Sequence, residues 1–302
     1  YGRAPLLRRS AMAILRFMIL SCFTFAASWC LGDFSLEDSR GRKVRIKANA
    51  RIVSGFVGAD EILYHLLESQ PKRILALSPL AKDKRYSSIY KKAAVWSQQF
   101  GDELEALLAM KPDLVIVASY TRPEWLNILD RAGVQSYVIG NFSSIKDIQL
   151  NIKTLGDLVQ MHGRAKDLLK TFDQGIRNLQ KTCGSRSVSI LNYSSTGTVL
   201  GRGTIFTSAL ESLGLENSAA KAGVKGWARV SRESILQMNP DFIVVEGTRK
   251  DKSERLKELK SQVAWRDLAA VKRERLIFVP SRYLSSVSHY LLNAMELICE
   301  QI

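Results

Sequence analysis

Apolar positions along the chain fall into two alternating patterns. Short uninterrupted runs at 51–54, 73–77, 94–96, 114–118 and 135–139 read as buried strands. Helical spacing begins at Asp60 and returns at 102–110 and 123–132, with a tight loop over Gly55 to Gly58. The same grammar recurs later, with strands at 187–192, 242–246 and 276–279 and helices at 204–213, 231–238 and 283–301. Lys111-Pro112-Asp113-Leu114 and Asn239-Pro240-Asp241-Phe242 occupy matching places in the two halves, a weak internal repeat. Residues 33–50 carry a turn, Ser39-Arg40-Gly41, between two extended runs and predict an exposed hairpin.

Between the halves lies a stretch with no strand signal. Ile145, Ile148, Ile152, Leu155 and Leu158 recur at three- and four-residue steps. Gly163 interrupts the pattern, which resumes at Ala165, Leu168, Leu169, Phe172, Ile176 and Leu179. Ser143 or Ser144 can cap the first turn, where Asp147 suits the helix dipole. The expected fold class is α/β: two Rossmann-like lobes with mostly parallel sheets, 33–142 and 183–302, joined by a helical connector over 143–182. Such a connector is stiffer than a flexible linker, and a cleft between lobes is the expected ligand site.

Composition narrows this. An apolar fraction of 46% over 302 residues supports packed cores. The net charge is +15, and Arg3, Arg8, Arg9 and Arg16 supply four of those charges before residue 33. They precede an apolar run from Phe17 to Trp29 of signal-peptide length, so residues 1–32 read as an export leader cleaved after Ser28 or Gly32. Met12 would make a more ordinary start, and Cys22 or Cys30 would be the place for a lipid anchor. The remaining positive excess favours an anionic ligand or a solvated surface. No basic–aromatic motif or zinc finger points to nucleic acid. Cys183 and Cys299 remain beyond the leader, either paired in an oxidising compartment or each a small buried hydrophobe.

Catalytic signals are thin. His65, His162 and His289 lack the close spacing of a zinc site. No G-x-S-x-G elbow or P-loop is present, and Gly201-Arg202-Gly203 lacks the third glycine of a dinucleotide loop. We therefore expect a binding protein with no resident cofactor. An enzyme on a Rossmann frame, or a ligand-free envelope scaffold or sensor, are the alternatives. Open parallel sheets bind ligands beyond the C-terminal ends of their strands. There stand Trp96 and Ser97, Tyr120 and Arg122, Asn141 and Phe142, Trp227 and Arg229, Arg249, and Arg282 and Tyr283. Aromatic faces give flat apolar contact, and arginines pair with carboxylates and other oxyanions.

Several stretches in order carry a resemblance: LEDSRGRKVRIKANARIVS, ADEILYHL, DELEALLAMKPDLVIV, LGDLVQMHGRAKDLL, GRGTIFTSALESLGLENSA and GWARVSRESILQMNPDFIVV. From residue 36 to about 300 the chain resembles the periplasmic binding proteins of ABC importers for ferric siderophores, haem and vitamin B12. The resemblance implies capture of a bulky metal chelate between the lobes, no catalysis, and delivery to an inner-membrane permease; we expect a monomer in the periplasm. It implies permease docking through one glutamate per lobe, here Glu105 and Glu233, and places Trp227 where members binding vitamin B12 set an aromatic against the ligand. Gly55-Phe56-Val57-Gly58 and Trp96-Ser97 depart from common members of the family. A ferric siderophore is the first expectation for the ligand, then cobalamin, then haem.

Overall fold

The computed structural model describes residues 32–96, 99–100, 104–184, 186–194, 197–263 and 265–302. The leader up to residue 31, with Cys22, Cys30 and Met12, and Ser97 lie outside them.

The first lobe opens with the expected hairpin, β1 (Phe34–Glu37) and β2 (Lys43–Ile46), paired antiparallel. Then follow β3 (Ile52–Ser54), α1 (Val57–Leu66), β4 (Ile74–Ala76), α2 (Leu104–Ala109), β5 (Leu114–Ala118), α3 (Pro123–Arg131) and β6 (Ser136–Ile139). The sheet is wholly parallel in the order β4-β3-β5-β6. Two expectations change here. Helix α1 starts at Val57, so the glycine loop is shorter than its sequence suggested. Residues 94–96 are no strand: Lys92–Val95 forms a 3-10 turn, and the chain rejoins the sheet edge only at Gln99, bridged to Leu77. Three apolar residues suited either state, and burial of Ala93 and Trp96 decided for the turn.

The connector is a helical pair and not one continuous stretch. Helix α4 (Ile145–Leu158) starts at Ser144, whose hydroxyl accepts the Asp147 amide hydrogen at 3.1 Å. The chain turns at Gln160, in the left-handed region at φ +58°, and α5 (His162–Cys183) follows. Gly163 lies inside α5 and breaks nothing. The glycine that matters is Gly156, because a Cβ there would sit 2.4 Å from that of Ala165 and force the two helices apart.

The second lobe contains β7 (Ser189–Tyr193), β8 (Thr198–Leu200), α6 (Ile205–Ser212), β9 (Glu216–Asn217), α7 (Ser218–Lys221), β10 (Trp227–Arg229), α8 (Arg232–Met238) and β11 (Phe242–Glu246). It ends with α9 (Lys252–Ser261), α10 (Ala269–Lys272), β12 (Leu276–Val279), α11 (Ser281–Leu284) and α12 (Leu291–Gln301). Its parallel sheet runs β12-β11-β7-β9, and β8 pairs with β10 as a separate antiparallel ribbon. The helix expected over 283–301 is thus two helices with an irregular segment, 285–290, between them.

Side-chain alternation shows why the strands read as continuous apolar runs. In β5 and β3, Ile116 and Ile52 face a central core, while Val115, Val117 and Val53 face an outer one against α3. In β11 and β12, Val244, Ile277 and Val279 face the same central core, while Ile243, Val245 and Phe278 face a second outer one around Trp265. Ile148, Leu155, Leu168 and Phe172 of the helical pair fill the space between. One apolar core therefore runs from the first sheet through the connector to the second, within the unit Phe34–Ile302. A disulfide joins Cys183, the last residue of α5, to Cys299 of α12, with Cα atoms 5.5 Å apart.

Candidate functional site

Three N-lobe strands deliver their following loops to one place. After β3 come Gly55 and Phe56, after β4 Ser78 to Leu80, and after β5 Tyr120. With Tyr86 and the C-lobe residues Ser285 to Val287 they enclose a cavity of about 460 Å³. Its walls are chiefly apolar and aromatic, and the volume suits an organic ligand. Gly55 is required by close packing, because its Cβ would stand 3.0 Å from the Ile116 carbonyl oxygen. Phe142 meets Phe56 edge-to-face and Tyr120 at a tilt, with centroids 5.3 and 5.7 Å apart. Tyr120 is 70% exposed, and Leu80 and Tyr86 are 45% and 41% exposed, so large apolar surface waits uncovered at the cleft. The Arg85 guanidinium lies 5.3 Å from the Tyr86 ring centre.

Two carboxyls lie buried beneath this surface, at the start of α1. Asp60 accepts the Ser78 amide hydrogen at 3.1 Å and the Ser78 hydroxyl. Glu61 accepts the Ser88 amide hydrogen at 2.7 Å and the Ser288 hydroxyl. Burial pushes both up to about 7, against the pull of these donors.

The residues expected at the site are not all brought together. Tyr120 lines the cavity. Trp96 does not line the cavity: its indole N–H donates to the Ile74 carbonyl at 2.7 Å, and its ring meets Tyr64 edge-on in the core. The 3-10 turn before it aims the ring inward. Asn141 and Phe142 follow β6, and Phe142 backs Tyr120. Arg122 is exposed at the start of α3. Trp227, 72% exposed, and Arg229 share one face of β10, and Arg249 is exposed in a 3-10 turn. None of these four lines the cavity. Arg282 stacks on Tyr283 at 4.5 Å just before the cavity segment 285–287. Glu105 and Glu233 are both exposed in the first turns of their helices, α2 and α8. Hydrogen bonds from its own amide and the Ser231 hydroxyl hold the Glu233 carboxyl below its ordinary range.

Phe56, Leu80, Tyr86 and Val287 were missed in the sequence. The glycines around Phe56 were a signal of close approach. Leu80 and Tyr86 sit in a charged, aperiodic stretch, and Val287 was hidden in an expected helix. The fold brings His65 and His289, 224 positions apart in sequence, into a tilted ring contact with centroids 5.5 Å apart. A larger cavity of about 710 Å³ lies by Ser189, Glu216 and Asp241, at the N-terminal ends of the C-lobe strands, and its lining is polar. Parallel sheets bind at the opposite end.

Two similar parallel sheets joined by a helical pair make a fold shared with solved periplasmic binding proteins. Residues 52–283 match the family described as periplasmic binding protein. The chain belongs to this family. Its members bind solutes and are not enzymes. The chain is 21% identical over 262 residues to an uncharacterized ABC transporter substrate-binding lipoprotein, YvrC, of Bacillus subtilis, covering 78% of this chain and 81% of that one. It is 25% identical over 255 residues to the vitamin B12-binding protein of Pectobacterium carotovorum, covering 77% and 88%. Among solved structures, a possible iron-binding periplasmic protein of Staphylococcus epidermidis superposes with a TM-score of 0.71 at 24% identity, covering 84% and 98%. The haem-binding protein HutB of Vibrio cholerae gives 0.71 at 19%, covering 84% and 98%. These likenesses bear out the fold expected from the sequence.

Proposed function

We propose that this periplasmic binding protein captures a bulky metal chelate between its lobes and hands it to the permease of an ABC importer. The observation that carries the ligand class is the aromatic cavity of about 460 Å³ spanning both lobes at the strand ends. Phe56, Tyr86 and Tyr120 supply flat apolar contact. Arg85, against the lining residue Tyr86, favours anionic arms, and Arg122, Arg229, Arg249 and Arg282 would join it only where the ligand extends past the cavity lining. A ferric siderophore fits this mixture best, with cobalamin next and haem third. Relatives named for iron uptake and vitamin B12 support the same group of ligands. Glu105 and Glu233, exposed one per lobe, are the docking carboxylates for permease arginines. The protein acts as a monomer outside the cytoplasmic membrane after loss of its leader. Fatty-acid labelling of the exported protein, with Cys22→Ser and Cys30→Ser variants, separates an anchored form from a free one.

The test is tryptophan fluorescence of residues 33–302, titrated with cyanocobalamin, haemin and ferric catecholate, hydroxamate and carboxylate siderophores. Saturable quenching by one chelate at micromolar or lower concentration is expected. Silence across the panel overturns the ligand assignment and favours a scaffold or sensor.

A further inference from the structure

The segment 285–290 belongs to the C-lobe chain, between α11 and α12, yet its side chains are fastened to the N-lobe. The Ser288 hydroxyl donates to the buried Glu61 carboxyl of α1, and the Ser286 hydroxyl approaches the same carboxyl at 3.5 Å. The Ser286 and Ser288 hydroxyl oxygens are 3.1 Å apart, and Ser288 Oγ also accepts the Tyr290 amide hydrogen at 3.2 Å. Val287 lies so close to α1 that a Cβ on Gly58 would stand 2.7 Å from it. The His289 ring meets that of His65 of α1 at a tilt, centroids 5.5 Å apart, and that of Tyr290 at 4.3 Å, and its Nδ1 is buried without a hydrogen-bond partner among the described residues. Four successive residues thus seal the two lobes together beside the cavity that Ser285 to Val287 line.

We propose that residues 286–289 are an interlobe latch in which Glu61 and His289 oppose one another as proton-driven openers, leaving the latch nearly insensitive to pH. Opening the segment lets water reach both groups. Glu61, pushed up to about 7 by burial, would then return to its ordinary 4.5 and release a proton. Opening by this group is favoured as pH rises through that window. His289, pushed down to about 3 by burial, would return to its ordinary 6.5 and take up a proton. Opening by this group is favoured as pH falls through its window. The windows overlap between about pH 4.5 and 6.5, where one proton released offsets one taken up.

Of the other groups nearby, only His65 adds to the balance, on the side of His289. Asp60 is buried on the same helix, but its partner Ser78 is in its own lobe, so the latch does not hydrate it. His65, lowered chiefly by burial, acts in the sense of His289, with Arg164, Glu68 and Lys92 around it. Tyr290 is raised by burial, with Glu61, Tyr64 and Tyr283 adding to the shift, and titrates above the range in question. Among the described residues neither Glu61 nor His289 has an ion pair that would fix its charge. The latch therefore keeps one wall of the ligand cavity in register while the surrounding pH varies.

Hydrogen–deuterium exchange of the amides at 285–290 tests this on the full chain without ligand, at pH 5, 6.5 and 8, after correction for intrinsic exchange. In the wild type, protection should vary only a few-fold across the range. Glu61→Gln should lose protection by roughly tenfold or more as pH falls from 8 to 5. His289→Phe, and equally His289→Gln, should lose it by roughly tenfold or more as pH rises from 5 to 8. Asp60→Asn should behave as the wild type. Flat profiles in the Glu61 or His289 variants, or slopes of the same sign in both, overturn the proposal. Because no chelate is present, neither result depends on what the cleft binds.

Discussion

The two lobes are built alike and used unequally. Each carries a four-stranded parallel sheet, and the inner faces of both meet one core around α4 and α5. The loops beyond the strands differ. In the N-lobe, the long excursion after β4 stays pinned by buried Ala81, Ile89, Ala93 and Trp96 and sets Leu80 and Tyr86 on the cavity. In the C-lobe, the chain after β7 leaves the sheet for the β8–β10 ribbon, which carries Trp227 and Arg229 away from the cavity lining. Among the described residues, its contribution to the cavity comes from 285–287. Equal sheets thus permit unequal cavity walls, because among the described residues the N-lobe loops and the start of α1 supply most of the lining.

The shared core offers the largest effect. Phe172→Ala should cost about 4 kcal/mol, since the ring is fully buried between both sheets. Urea unfolding followed at Trp125 in the N-lobe and Trp265 in the C-lobe should shift together. A shift in one lobe only would break the idea of a common core. Next come the unequal walls. Phe56→Ala with Tyr120→Ala should weaken chelate binding by about 2 kcal/mol, some thirtyfold. Trp227→Ala should weaken it less, and Trp96→Phe should lower the unfolding midpoint while leaving affinity alone. Equal losses at Trp227 and at Tyr120 would restore the C-lobe to partnership.

A smaller effect separates Asp60 from the latch. Its folded pKa of about 7 lies above the ordinary 3.8, so the folded chain keeps a proton that the unfolded chain gives up. The resulting stability is complete below about pH 4 and is lost as pH rises through 7. Asp38 and Asp113, both lowered, act only where pH falls below the ordinary carboxylate range. Asp60→Asn should therefore gain stability relative to the wild type as pH rises from 4 to 7, measured by chemical unfolding at each pH. The smallest expected effect is on affinity. Reversing the charge of Glu105 and Glu233 should leave chelate binding unchanged but stop uptake, and uptake that survives would remove them from the docking face.

The parallel sheets and the hairpin were legible because runs such as Leu114–Ala118 are buried on both faces and carry no polar position. The connector was legible as helix but not as two helices, since the turn at Gln160 is made by an ordinary residue at positive φ. At the site, Tyr120 could be read from its place after a strong strand. Trp96 could not, because its direction depends on a 3-10 turn that three apolar residues do not announce. Glu61 and Ser288 lie 227 positions apart, and only the completed fold shows that they meet.

Equilibrium dialysis of the chelate panel against three proteins tests the central claim most directly: the wild type, the Phe56→Ala/Tyr120→Ala double variant, and Lys221→Ala in the larger polar cavity. We expect one chelate to be retained by the wild type and by Lys221→Ala and largely lost by the double variant. Retention by the double variant with loss in Lys221→Ala would move the binding site to the far end of the C-lobe sheet and contradict the account.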